Sequence, residues 1–157
     1  SFVSSKLDFM NCLLYGTPKT HLQKLQRLQN AAARLVTGTK IREHITPILM
    51  QLHWLPIKQR IDYKMLLFTY KALNDLAPQY FKDMITPQSH TRHLRSSNKL
   101  LLKVPKTRSV TYGNRGFSMA APTLWNALPE YIQNSGSLDI FKKNINTYLY
   151  RIAFSVD

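Results

Sequence analysis

Arg92, Arg95, Lys99, Lys103, Lys106, Arg108 and Arg115 all fall between Met84 and Pro129, a stretch without a single carboxylate. Ammonium and guanidinium groups at that density suit the neutralisation of phosphates, which releases condensed counterions and drives binding. A second basic set, Lys24, Arg27, Arg34, Lys40 and Arg42, lies earlier in the chain. Over the whole chain 22 Lys and Arg face 8 Asp and Glu, a formal net charge of +14. So large a surplus repels itself in a compact state unless an anion is near, and nucleic acid is the expected one. Solvated basic faces without a specific partner are the competing reading.

Other chemistries find little footing. Two-metal phosphoryl transfer needs carboxylates clustered around ions about 4 Å apart. Here Asp8, Asp62, Asp75, Asp83 and Asp139 are isolated, and no Asp–Asp pair occurs. His90 and His93 are three apart, but no third metal ligand is near, and His21, His44 and His53 are scattered. The single cysteine, Cys12, offers neither an internal disulfide nor a Cys-rich zinc site. No G-x-S-x-G elbow and no Lys-Ser/Thr phosphate loop is present, Gly113-Asn114-Arg115-Gly116 included. No catalytic residue, metal or cofactor is therefore expected. Trp54 and Trp125 could stack on bases, but their apolar neighbours assign both to the core.

These groups must be held by a frame that reads as mainly α. Hydrophobic residues make up 44% of 157, enough for a true core. Val3, Leu7, Met10 and Leu14 predict a helix over 3–15, broken by Gly16-Thr17-Pro18. Residues 19–37 predict the cleanest helix, with Leu22, Leu25, Leu28, Ala32 and Leu35 as its apolar stripe and Gly38 as its C-terminal stop. Thr46-Pro47 predicts a short helix over 47–52, and Pro56 opens a wide-faced one to Leu73. Another short helix is expected at 79–85. Residues 88–98 read as a polar loop. Residues 100–104 and 109–112 suggest strands of a small β-hairpin in the second half. Pro122 and Pro129 open short helices, and Ser137 caps a last one to Phe154 with Leu138, Phe141, Ile145, Tyr148, Leu149 and Ile152 inward. Composition thus divides the chain into a helical region, 1–87, and a basic loop or hairpin followed by helices, 88–157. The longest apolar runs are too short to cross a bilayer. With Lys6 and Asp8 near the start no signal peptide is read, so the expected location is intracellular, nucleus and cytoplasm. A first residue other than Met, in what reads as mid-helix, suggests a fragment or processed piece.

Taken in order, LQKLQRLQNAAARLVTG at 22–38, HITPILMQLHWLPIKQRI at 44–61, KALNDLAPQY at 71–80, RHLRS at 92–96, YGNRGFSMAAPTLWNALP at 112–129 and FKKNINTYL at 141–149 carry a resemblance. The chain resembles the region carboxy-terminal to the polymerase core in non-long-terminal-repeat (LINE-type, jockey-like) retrotransposon reverse transcriptases. Its start, KLDFMNCLLYG, is similar to the end of their thumb, although Met10-Asn11-Cys12 departs from the commoner Cys-Asn-Ser. The parent enzymes copy RNA into DNA at a nicked chromosomal target. Their catalytic Asp pair is absent from this sequence, so the resemblance implies a non-catalytic part. Its expected partners are template RNA, RNA–DNA hybrid or target DNA, together with the remainder of the parent polymerase and no membrane. The face of Lys24, Arg27 and Arg34 would then track a primer–template duplex. The alternative is a structural element that packs on the polymerase core without nucleic-acid affinity of its own. An independent enzyme is the remotest reading.

Overall fold

A computed structural model describes residues 2–88, 100–106 and 116–155 of the chain. Among them lie eight α-helices, so the fold is mainly α. They are α1 Phe2–Asp8, α2 Lys19–Thr37, α3 Ile45–Gln51, α4 Ile57–Leu73, α5 Gln79–Asp83, α6 Phe117–Asn126, α7 Glu130–Gln133 and α8 Leu138–Phe154, with a 3₁₀ turn at Asn11–Leu14. Two compact units emerge, residues 1–62 with 147–157, and residues 63–146. The division falls within α4 and within α8, while the compositional change at 88 lies inside the second unit.

In the first unit, the single helix expected over 3–15 is two pieces. Met10 takes a left-handed conformation, φ 49°, between α1 and the 3₁₀ turn. The carboxylate at the end of α1 is held in place beside this break. Arg60 Nε and Nη2 donate to the two oxygens of Asp8 at 2.8 and 2.7 Å, and buried Asn11 donates to the same carboxylate at 3.4 Å. A left-handed non-glycine residue costs about 1–2 kcal/mol, and a bidentate charged pair is of the size to offset that. α2 keeps its expected bounds. At its end Gly38 (φ 69°) lets its own N–H and that of Thr39 reach the carbonyl of Arg34. α3 starts at Ile45, two residues before the expected Pro47. Proline is tolerated there because first-turn N–H groups have no intrahelical acceptor. His53, φ 54°, ends it, and Trp54 N–H closes back on Leu49 O at 2.9 Å. Ala33, Ile48 and Leu49 form the core here, with Ile45, Leu52, Trp54 and Phe154 packed on it.

α4 is buried on most of its circumference, at Ile57, Ile61, Met65, Leu66, Thr69, Tyr70 and Ala72, as its wide apolar face predicts. In the second unit an aromatic stack fixes the core. Tyr70 lies on Phe141 with ring centres 4.2 Å apart, and Trp125 lies 6.0 Å from Phe141. Tyr70 Oη donates to Ser135 O at 2.8 Å. Pro122 does not open a helix but sits inside α6, which starts five residues earlier because the Gly116 carbonyl already accepts from Met119 and Ala120 N–H. α5 stops at Asp83, two residues short of its expected end, with Met84 as its C-cap. The last helix begins as expected, with Ile140 N–H donating to Ser137 Oγ at 3.3 Å. Phe141, Ile145 and Leu149 are buried, whereas Ile152 is exposed.

The second strand of the expected hairpin, 109–112, lies outside the described residues. Among the described residues, 100–104 pairs with an upstream segment. Gln88 N–H donates to Leu101 O and Lys103 N–H to Thr86 O, both at 2.8 Å, around a single antiparallel bridge between Pro87 and Leu102. The opposite edge is taken by a side chain. Leu102 N–H donates to Asn126 Oδ1, and Asn126 Nδ2 donates back to Leu102 O, each at 2.8 Å. Leu102 is thus held on both sides by described residues.

Candidate nucleic-acid interface

Lys24, Arg27 and Arg34 share α2 with Ala31, and Gly38 follows directly on its end. Steps of three, four, three and four place these positions on one line along the helix. Lys24 and Arg27 are exposed, as are Lys40 and Arg42 beyond the helix. Arg34 is half-buried, and its Nη2 donates to the backbone carbonyl of Glu43 at 3.1 Å. Its shielded Nε–H finds no acceptor among the described residues. Arg27 and Arg34 line one wide, open concavity of about 620 Å³ with Ala31, Leu35 and Ile41. No described carboxylate forms an ion pair with any of these five cations. The nearby ion pairs take up other cations: Asp8 with Arg60, and Asp62 with Lys58.

In the second unit Lys103 and Lys106 are exposed, on and just past the segment that pairs with Thr86–Gln88. Arg92, Arg95, Lys99, Arg108 and Arg115 lie outside the described residues, as do His90 and His93. Both tryptophans take core positions. Trp125 is 1% exposed with its Nε1–H on Leu100 O at 2.8 Å, and Trp54 is half-buried against the α2–α3 core. His53 serves as a helix end, with Nδ1 2.8 Å from Met50 O. Among the described residues no three His, Cys, Asp or Glu side chains converge, and no helix is long and apolar enough to cross a membrane.

The apolar stripe expected on α2 is only partly inward, which is a correction. Gln29 and Ala33 are the buried residues, while Leu28 is 61% and Leu35 85% exposed. The helix is turned by its polar side chains. Gln29 Nε2 donates to Leu55 O at 2.8 Å, and Gln26 Oε1 accepts from Ile57 N–H at 2.9 Å. Ile57 opens α4, so Gln26 satisfies one of its orphan N–H groups from a distant element. Gln26 Nε2 in turn donates to Gln29 Oε1 and Asn30 Oδ1, at 3.0 and 2.8 Å. A search for apolar periodicity passes over these glutamines. The only signal is Gln26 and Gln29 spaced three apart, the separation that lets them touch.

Asp62 carries a separate prediction. Burial holds its carboxyl above the usual aspartate range, partly countered by Lys58, whose Nζ is 3.1 Å away. Burial also raises the Tyr15 phenol, with the Asp62 charge adding to the rise. The folded chain therefore keeps a proton on Asp62 at pH values where the unfolded chain has lost it. Stability falls as pH rises from the ordinary aspartate value through the raised one, and is flat above it. Asp62→Asn is expected to remove that fall and to gain stability at neutral pH, since Lys58 is exposed and stays hydrated. Chemical denaturation of both proteins from pH 3 to 7 checks this; a loss at neutral pH would mean the ion pair outweighs the burial.

Compared with known protein families, curated proteins and solved structures, the chain shows no match to any of them.

Proposed function

We propose that this chain is a non-catalytic, carboxy-terminal part of a LINE-type reverse transcriptase that holds nucleic acid through phosphate contacts. The observation that carries the binding reading is the set of exposed cations Lys24, Arg27, Lys40 and Arg42, none of which forms an ion pair with a described carboxylate, although Glu43 lies beside Lys40 and Arg42 and accepts from the Lys40 backbone N–H at 3.4 Å. Lys103 and Lys106 add exposed charge in the second unit. Contacts of this kind fix position on a phosphate backbone and carry no base readout. Template RNA, an RNA–DNA hybrid and target DNA all present such a backbone. The polymerase assignment rests on the ordered sequence stretches given above.

Fluorescence anisotropy with a labelled single-stranded RNA, an RNA–DNA hybrid and a DNA duplex tests the reading. Log affinity is expected to fall linearly with log salt, with a slope of roughly 0.7–0.9 per phosphate neutralised. Changing Lys40, Arg42, Lys103 and Lys106 together to Gln should flatten that slope by up to about four such contacts and weaken binding at least tenfold. A folded chain that binds none of the three at low salt overturns it.

One observation favours a second reading, a packing element of a larger polymerase without affinity of its own. Leu28, Leu35, Val36 and Ile41 are all exposed on or beside α2, and Leu35 and Ile41 line one concavity; grouped apolar exposure of this kind marks interaction sites.

A further inference from the structure

On α2, Leu25, Leu28, Ala32 and Leu35 follow one another at steps of three, four and three. That is the seam of a helix that pairs with another helix. Leu25 and Ala32 are half-buried. Leu28 and Leu35 are open to solvent, as are Val36 (65% exposed) and Ile41 (87%), and Ile41 lines one concavity with Leu35. Lys24, Arg27 and Arg34 run beside the row on the same helix, and two of them share the open concavity with Leu35 and Ile41. The Nε–H of Arg34 has no acceptor there among the described residues.

We infer that this seam is a docking surface for an acidic amphipathic helix of a partner protein. The three-four-three spacing selects a helix, because only a helical partner repeats its apolar side chains at the matching interval. The flanking cations select the charge. Glu or Asp beside the partner's apolar row would meet Lys24, Arg27 and Arg34, which steers association and fixes orientation. A second copy of this chain is the wrong occupant. α2 contains no Asp or Glu, so its self-pairing sets cation against cation in either direction. A nucleic acid would use the cations but leave the leucines wet. The inference goes beyond the proposed function in its leucines, which take no part in phosphate contacts, while Lys24 and Arg27 are shared between the two.

The probe is a synthetic 21-residue helical peptide with Leu at alternating three- and four-residue steps and Glu on both flanks. Its controls are a scrambled peptide of the same composition and a version with Lys in place of Glu. The full chain is expected to bind the Glu peptide at least tenfold more tightly than either control. Leu28→Ser with Leu35→Ser should weaken that binding about tenfold or more, by the apolar area no longer buried. Both positions are exposed, so the fold should persist, which circular dichroism checks, and affinity for the RNA–DNA hybrid should not change. Several outcomes overturn the inference: no binding, equal binding of the scrambled peptide, or an unaltered double variant. So does a matching loss of hybrid affinity in the double variant, which would assign the row to nucleic acid. Concentration-dependent self-association abolished by the same substitutions would assign it to a second copy.

Discussion

Trp125→Ala is expected to destabilise the second unit by about 3–5 kcal/mol, the usual range for emptying a buried aromatic position. Domains are stable by only about 5–15 kcal/mol in total, so the variant should be largely unfolded at moderate denaturant. Three separate ties converge on this residue. Its ring stacks near Phe141, which in turn stacks on Tyr70 of α4. Its Nε1–H satisfies the Leu100 carbonyl, and its own carbonyl accepts from Gln133 Nε2 at 2.6 Å. Removal of the ring therefore opens a cavity and orphans an acceptor at the edge of the 100–102 segment. Trp125→Phe keeps one aromatic ring but loses the N–H and part of the buried ring volume, so it should cost less than the alanine change, about 1–3 kcal/mol. Urea denaturation followed by far-UV circular dichroism separates the cases. An alanine variant with an unchanged midpoint would mean that Trp125 is not a core anchor.

Legibility of the fold from the residues followed how local the determining physics is. Gly38 as a helix stop, Ser137 as a helix cap and the wide apolar face of α4 depend on neighbours within a few positions, and each is found where its pattern predicts. The break at Met10 was not legible, because the Asp8 carboxylate just before it is held by Arg60, fifty-two residues from Asp8. Nor was the partner of residues 100–104. The segment's observed partners, Thr86–Gln88 and the Asn126 side chain, are not its neighbours in the chain. At the candidate site, charge was legible and orientation was not. Lys24 and Arg27 are exposed as their places off the leucine stripe imply, yet the stripe itself is partly outward. Hydropathy ranks Leu above Gln for burial, and here two tertiary hydrogen bonds reverse that ranking.

That reversal gives the sharper test. Gln29→Leu replaces the most buried polar side chain of α2 with an apolar one of similar length, so area alone argues for stabilisation. Hydrogen-bond satisfaction argues the other way. Leu55 O would lose its donor inside the core, and Gln26 Nε2 would lose one of its two acceptors. A buried orphan costs about 1–3 kcal/mol, which exceeds the gain from the small extra apolar area. The expected result is a net loss of about 2 kcal/mol. Gln26→Leu should also destabilise, because Ile57 N–H at the start of α4 is left without its acceptor. Since the two amides touch, the double variant should lose less than the sum of the single losses, by about 0.5–1 kcal/mol. Chemical denaturation of the four proteins in the cycle measures that coupling. Additive losses would mean the glutamines act separately; a more stable Gln29→Leu protein would mean that α2 is oriented by apolar contact alone.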